Sequence, residues 1–69
     1  MPSPAELLDF EQAHPKHTGW KEEKIRRELG LTPARYYQLA HRAAATIEGQ
    51  AHDPITARNI RHRLLKANT

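Results

Sequence analysis

The sequence predicts an all-α fold, a compact domain of three to four helices containing a helix-turn-helix. Three observations carry this. Apolar residues recur at three- and four-residue spacing, no segment sustains the alternation of a strand, and the helical stretches are separated by cap, proline and glycine signals. With 69 residues, one domain over 1–69 is the sensible division. The chain has no cysteine, so neither disulfides nor thiolate zinc can staple so small a fold.

The first helix spans about 4–13. Ser3 caps it, Pro4 takes the first helical position, and Glu6 sits in the positive first turn. Leu7, Leu8 and Phe10 supply its apolar face, with Asp9 and Glu11 turned outward, and His14-Pro15 stops it. The second helix spans about 20–29, opened by Thr18 or Gly19. Ile25 and Leu29 share a face with Trp20 beside them, and Gly30 takes the left-handed position that ends it. The third spans about 33–47, capped by Thr32, led by Pro33, rich in alanine and ended by Gly49. The fourth spans about 54–66, capped by Asp53, with Ala57, Ile60 and Leu64 at helical spacing.

Charge is unevenly placed. The net charge is +3 and the isoelectric point is near 9.7. Residues 1–15 carry Glu6, Asp9 and Glu11 and no Lys or Arg, whereas the rest is basic, ending in Arg58, Arg61, Arg63 and Lys66 against Asp53. An acidic head before a basic body favours a polyanionic partner. No apolar run is long enough to span a membrane, and Met1–Leu8 has neither the basic nor the apolar region of a signal peptide, so a soluble, cytoplasmic protein is expected.

The informative stretch is Ile25–Leu39. Two helices are joined there by a short turn holding a glycine, the requirement of a helix-turn-helix. Ile25, Leu29, Leu31, Tyr36 and Leu39 fall where such a unit buries side chains, with Leu31 plugging the angle. Arg26 stands where a small residue usually lets the helices approach, so it must extend outward or the helices must splay. Thr32, Ala34, Arg35, Tyr37, Gln38 and His41 then face out. Gln suits adenine, Arg suits guanine or phosphate, and Thr and Tyr donate to phosphate. Lys21, Arg58 and Arg61 are expected to hold phosphates beside the groove.

Other chemistry is thinner. His14 and His17 have a spacing a metal could use, but too few ligands lie nearby, and they read as a loop pair. Ser3 is the only serine, Glu22-Glu23 point apart on a helix, and three glycines make no phosphate loop. No enzyme, cofactor or metal site is expected. Trp20 and Tyr36 are expected in the core, leaving Tyr37 as the exposed aromatic.

The chain resembles a small family of uncharacterised actinobacterial and actinophage proteins. The resemblance rests on Phe10-Glu11, Lys21-Glu22-Glu23, Gly30-Leu31-Thr32-Pro33, Arg35-Tyr36-Tyr37-Gln38-Leu39, Asp53-Pro54 and Arg61-His62-Arg63-Leu64. It covers about 7–65 and implies a helix-turn-helix-like fold in a bacterial or phage cytosol. The chain departs from the pattern at His14-Pro15-Lys16-His17, where tryptophan is usual, and in a shorter, less basic tail.

The expected function is therefore binding of double-stranded DNA by a regulator or accessory protein, with the third helix in the major groove. So small a module would need a dimer or a second protein for specific binding, and the sequence shows no dimer seam. The alternative is a protein-interaction module, such as a phage factor that binds host transcription or replication machinery, using the Tyr37-Gln38 face or the acidic head.

Overall fold

The computed structural model describes residues 2–67, and the side chains of 2–62. Five helices follow in order: α1 (Pro4–Ala13), α2 (Gly19–Lys24, continued by a π-helical turn over Ile25–Leu29), α3 (Pro33–Ala45), α4 (Ile47–His52) and α5 (Pro54–Ala67). No strand occurs among the described residues. The first helix keeps its expected bounds. Ser3 accepts from the Glu6 amide while the Glu6 carboxylate accepts from the Ser3 amide, so each satisfies a backbone donor that the helix start leaves open.

Two elements differ from expectation. The second helix is not uniform: its last turn widens to π geometry, with the Gly30 and Leu31 amides both reaching back to the Ile25 carbonyl. Gly30 ends it at φ 67°, the left-handed conformation that glycine adopts without steric cost. The third helix stops at Ala45 rather than near Ile47, because the Thr46 hydroxyl caps both sides of the break. It donates to the Ala43 carbonyl at 2.7 Å and accepts from the Gly49 amide at 2.9 Å, starting the extra helix α4. Gly49 is therefore an inner residue of α4 and not a helix stop. A Cβ there would run into the Ala43 carbonyl oxygen. Gly49→Ala is expected to cost about 1–3 kcal/mol, as overpacking does, measured as a lower midpoint in urea denaturation with α4 displaced from α3.

The core joins α1, α3 and α5 around Leu7, Leu8, Phe10, Ile25, Tyr36, Leu39, Ala40, Ala43, Ala44, Ala57 and Ile60, with Leu29, Leu31 and Tyr37 packed against it. Every apolar position assigned to the interior of the turn unit is thus in the core or against it. Alanines at 40, 43, 44 and 57 keep side-chain bulk small where α3 meets α5.

Three side chains of α1 and α2 are placed against expectation. Trp20 is 60% exposed, not core. The buried face of α2 runs through Lys21 and Ile25, four apart. Trp20 lies one residue off it with Lys24, whose ammonium sits 5.5 Å from the indole. Glu11, expected outside, is 3% exposed, and Lys21 is 1% exposed. They form an ion pair at 2.8 Å, and the Tyr36 hydroxyl donates to the same Glu11 oxygen at 2.6 Å.

At the surface, His52 at the end of α4 bonds Asp9 of α1 at 2.7 Å. That hydrogen bond raises the His52 pKa above 6.5, opposed by desolvation and helped by the charges of Asp9, Asp53 and Glu48. A raised folded-state value means the contact stabilises fully below 6.5 and is lost as pH rises through the raised value. The melting temperature is expected to fall more between about pH 5 and about pH 8 in the parent chain than in Asp9→Asn. Asp53 behaves oppositely. The Thr56 hydroxyl and amide bond its carboxylate as the cap of α5 and lower its pKa below 3.8.

Candidate nucleic-acid interface

The α3 helix has a divided surface. Tyr36, Leu39, Ala40, Ala43 and Ala44 face the core, while Ala34, Arg35, Gln38, Arg42 and Ala45 are exposed. The exposed set repeats every three or four residues, so it forms one stripe along the helix. No Asp or Glu occurs between Pro33 and Ala45, and none between Pro54 and Ala67 in the neighbouring α5. The chain's carboxylates belong to α1, α2, α4 and the cap of α5.

The turn before α3 sets the stripe. Thr32 is exposed and its hydroxyl accepts from the Arg35 amide at 3.2 Å, which fixes the first turn. The Arg35 guanidinium then donates to Gln38 Oε1 at 2.8 Å. Arg58 is exposed on α5. Thus Thr32, Arg35, Gln38 and Arg58 are surface groups, four of the eight side chains selected from sequence.

The other four sit differently. Lys21 is not a surface cation: its ammonium is buried on Glu11, where no phosphate reaches it. Tyr37 is half-buried. Its hydroxyl hydrogen-bonds His17 Nδ1 at 2.8 Å, its ring packs on His17 and Tyr36, and the Lys21 ammonium lies 5.4 Å from it. Arg61 is half-buried and donates to the Ala44 carbonyl at 2.8 Å, so its charge serves the negative end of α3. His41 is half-buried at the margin of the stripe, and its buried Nδ1 has no hydrogen-bond partner among the described residues. Arg63 and Lys66, expected beside them, lie outside the described side chains.

Arg42 escaped the sequence reading, although it lies one helical turn past Gln38 on the same stripe. That four-residue spacing is the signal that could have found it. Arg26 and Arg27 are exposed on the π turn, so Arg26 clears the helix pair by pointing outward. The His14–His17 pair divides, His14 bonding the Phe10 carbonyl and stacking on Phe10 while His17 engages Tyr37. No cluster of three or more potential metal ligands occurs among the described residues.

A cleft of about 230 Å³ is lined in part by Glu11, Asp53, Thr56 and Asn59. Its two carboxylates already serve the fold, Glu11 on Lys21 and Tyr36 and Asp53 as the cap of α5. No described helix is long and apolar enough to cross a membrane.

Residues 3–68 match the model of a family described as protein of unknown function (DUF3263). No curated protein and no solved structure matches the chain.

Proposed function

The chain belongs to that family of unknown function, and from its own residues we propose that it binds double-stranded DNA, with α3 entering the major groove. The observation that carries this is the α3 stripe itself. Arg35, Gln38 and Arg42 stand exposed on a helix without a carboxylate, packed against a second helix without one on which Arg58 is exposed. A major groove about 12 Å wide admits a helix, and a polyanion penalises any carboxylate on the inserted face. Arg35 and Gln38, with His41 at the margin, meet base edges, while Thr32, Arg42 and Arg58 meet phosphates. Lys21, Tyr37 and Arg61 support this surface from within. The role is that of a regulator or accessory protein, and the motif resemblance implies a bacterial or phage cytosol.

The test is an anisotropy titration of labelled random-sequence duplex at two salt concentrations. Two or three phosphate contacts give a slope of log affinity against log salt near −2 to −3 at about −0.9 each. Binding that ignores salt, or no binding in low salt, contradicts the proposal.

The exposed tryptophan favours a second reading, a protein-interaction module. Trp20 presents most of its ring to solvent under the Lys24 ammonium, and tryptophan is enriched among residues that dominate protein contacts. A partner held there would be lost with Trp20→Ala and keep its affinity in salt, whereas duplex binding through α3 would keep its affinity in Trp20→Ala.

A further inference from the structure

We propose that Arg35 and Gln38 act as one coupled reader that selects guanine over adenine in the major groove. This rests on the DNA-binding reading and adds to it what the stripe recognises.

A free glutamine reads adenine with both ends of its carboxamide. The oxygen accepts from the adenine amino group and the Nε2 donates to N7. In this chain the oxygen is already engaged. Arg35 donates to Gln38 Oε1 at 2.8 Å, across one turn of α3. The assignment of oxygen and nitrogen is settled by chemistry, because a guanidinium has only donors and must meet the oxygen. Gln38 Nε2 has no partner among the described residues, and both side chains are exposed. What the pair turns outward is therefore the remaining guanidinium N–H groups and the carboxamide N–H₂, donors throughout.

The edge of guanine in the major groove offers N7 and O6, both acceptors. The edge of adenine offers one acceptor and one amino donor. That donor would have to share the Gln38 oxygen with a cation bonded to it, and the guanidinium charge repels its positive end. The helix supplies no carboxylate to reverse this preference, since none occurs from Pro33 to Ala45. The same contact limits how freely the Arg35 side chain moves, so less rotamer freedom is lost when it meets a base.

The experiment compares the full chain with Arg35→Ala on three duplexes of one length. The first carries A·T steps in a mixed context, the second carries G·C steps at the same positions, and the third is the second with 7-deazaguanine in place of guanine, which removes N7. The expected result is a preference for the second over the first and over the third, each on the order of tenfold, the scale of one bidentate base contact. In Arg35→Ala both preferences vanish and duplexes carrying A·T steps gain relative to G·C, because the Gln38 oxygen is released. Salt-sensitive binding of equal strength to guanine and 7-deazaguanine duplexes overturns the proposal and leaves DNA binding standing. So does an unchanged base preference in Arg35→Ala. Absence of binding to all three in low salt overturns both. Circular dichroism confirms that the variant is folded, as expected for an exposed position.

Discussion

Glu11→Ala is expected to remove most of the stability of this domain. The Glu11 carboxylate accepts from the Lys21 ammonium at 2.8 Å and from the Tyr36 hydroxyl at 2.6 Å, with all three side chains buried. Truncating it leaves a buried ammonium without its counter-ion and a phenol without its acceptor. Breaking such a pair from one side costs about 3–5 kcal/mol. Domains carry roughly 0.05–0.15 kcal/mol per residue, or about 3–10 kcal/mol for a chain of this length. The two magnitudes overlap, so the variant is expected to be largely unfolded at 37 °C, read by circular dichroism and urea denaturation. Replacing the whole network, Glu11→Leu with Lys21→Met and Tyr36→Phe, is expected to restore folding, because no orphaned charge remains. A loss below about 1 kcal/mol for Glu11→Ala would mean that the pair behaves as a surface contact.

Reversing two charges on the stripe, Arg35→Glu with Arg42→Glu, is expected to lower duplex affinity by at least about a hundredfold. Each lost hydrogen bond to a charged group is worth about 1.5 kcal/mol or more, and two such losses reach that factor before repulsion from the new carboxylates is added. Stability is expected to change little, since neither side chain contacts the core and surface changes usually stay within about 0.5 kcal/mol. Glutamate at position 35 suits the positive first turn of α3 while glutamate at position 42 opposes the negative last turn, so the two dipole effects offset. Anisotropy and a thermal melt on the same sample separate the two effects. Unchanged affinity in a folded double variant would remove α3 from the interface.

Much of the fold was legible in the sequence. Ser3-Pro4, Thr32-Pro33 and Asp53-Pro54 each mark a helix start by chemistry local to the chain, and all three caps form. Gly30 marks a stop for the same kind of reason. The break at Thr46 was harder to see. The run through Ala45 and Ile47 is compatible with one long helix, and the choice to break depends on a hydroxyl bonding back to the Ala43 carbonyl. The burial of Glu11 and Lys21 was hidden because residue type argued for the surface while position argued for the core. Glu11 lies four residues from Leu7, and Lys21 four from Ile25, each on the inner face of its helix. Position prevails because each charge finds its counter-ion on the other helix. Trp20 moved outward by the same competition, since Lys21 holds the inward place on α2. At the site, helical periodicity placed Ala34, Arg35 and Gln38 on the exposed stripe, but it also put Tyr37 there, which packs on His17, and it missed Arg42. The loss of Lys21 and Arg61 from the site did not follow from periodicity, because both are set by partners distant in the chain, Glu11 and the Ala44 carbonyl.

The most direct measurement is amide chemical-shift mapping of the labelled chain during titration with a random-sequence duplex in low salt. DNA binding through α3 predicts that the largest shifts fall between Thr32 and Ala45 and at Arg58, and that they retreat together as salt is added. Shifts confined to α1 or to the surroundings of Trp20, or no shifts at saturating duplex, would contradict it.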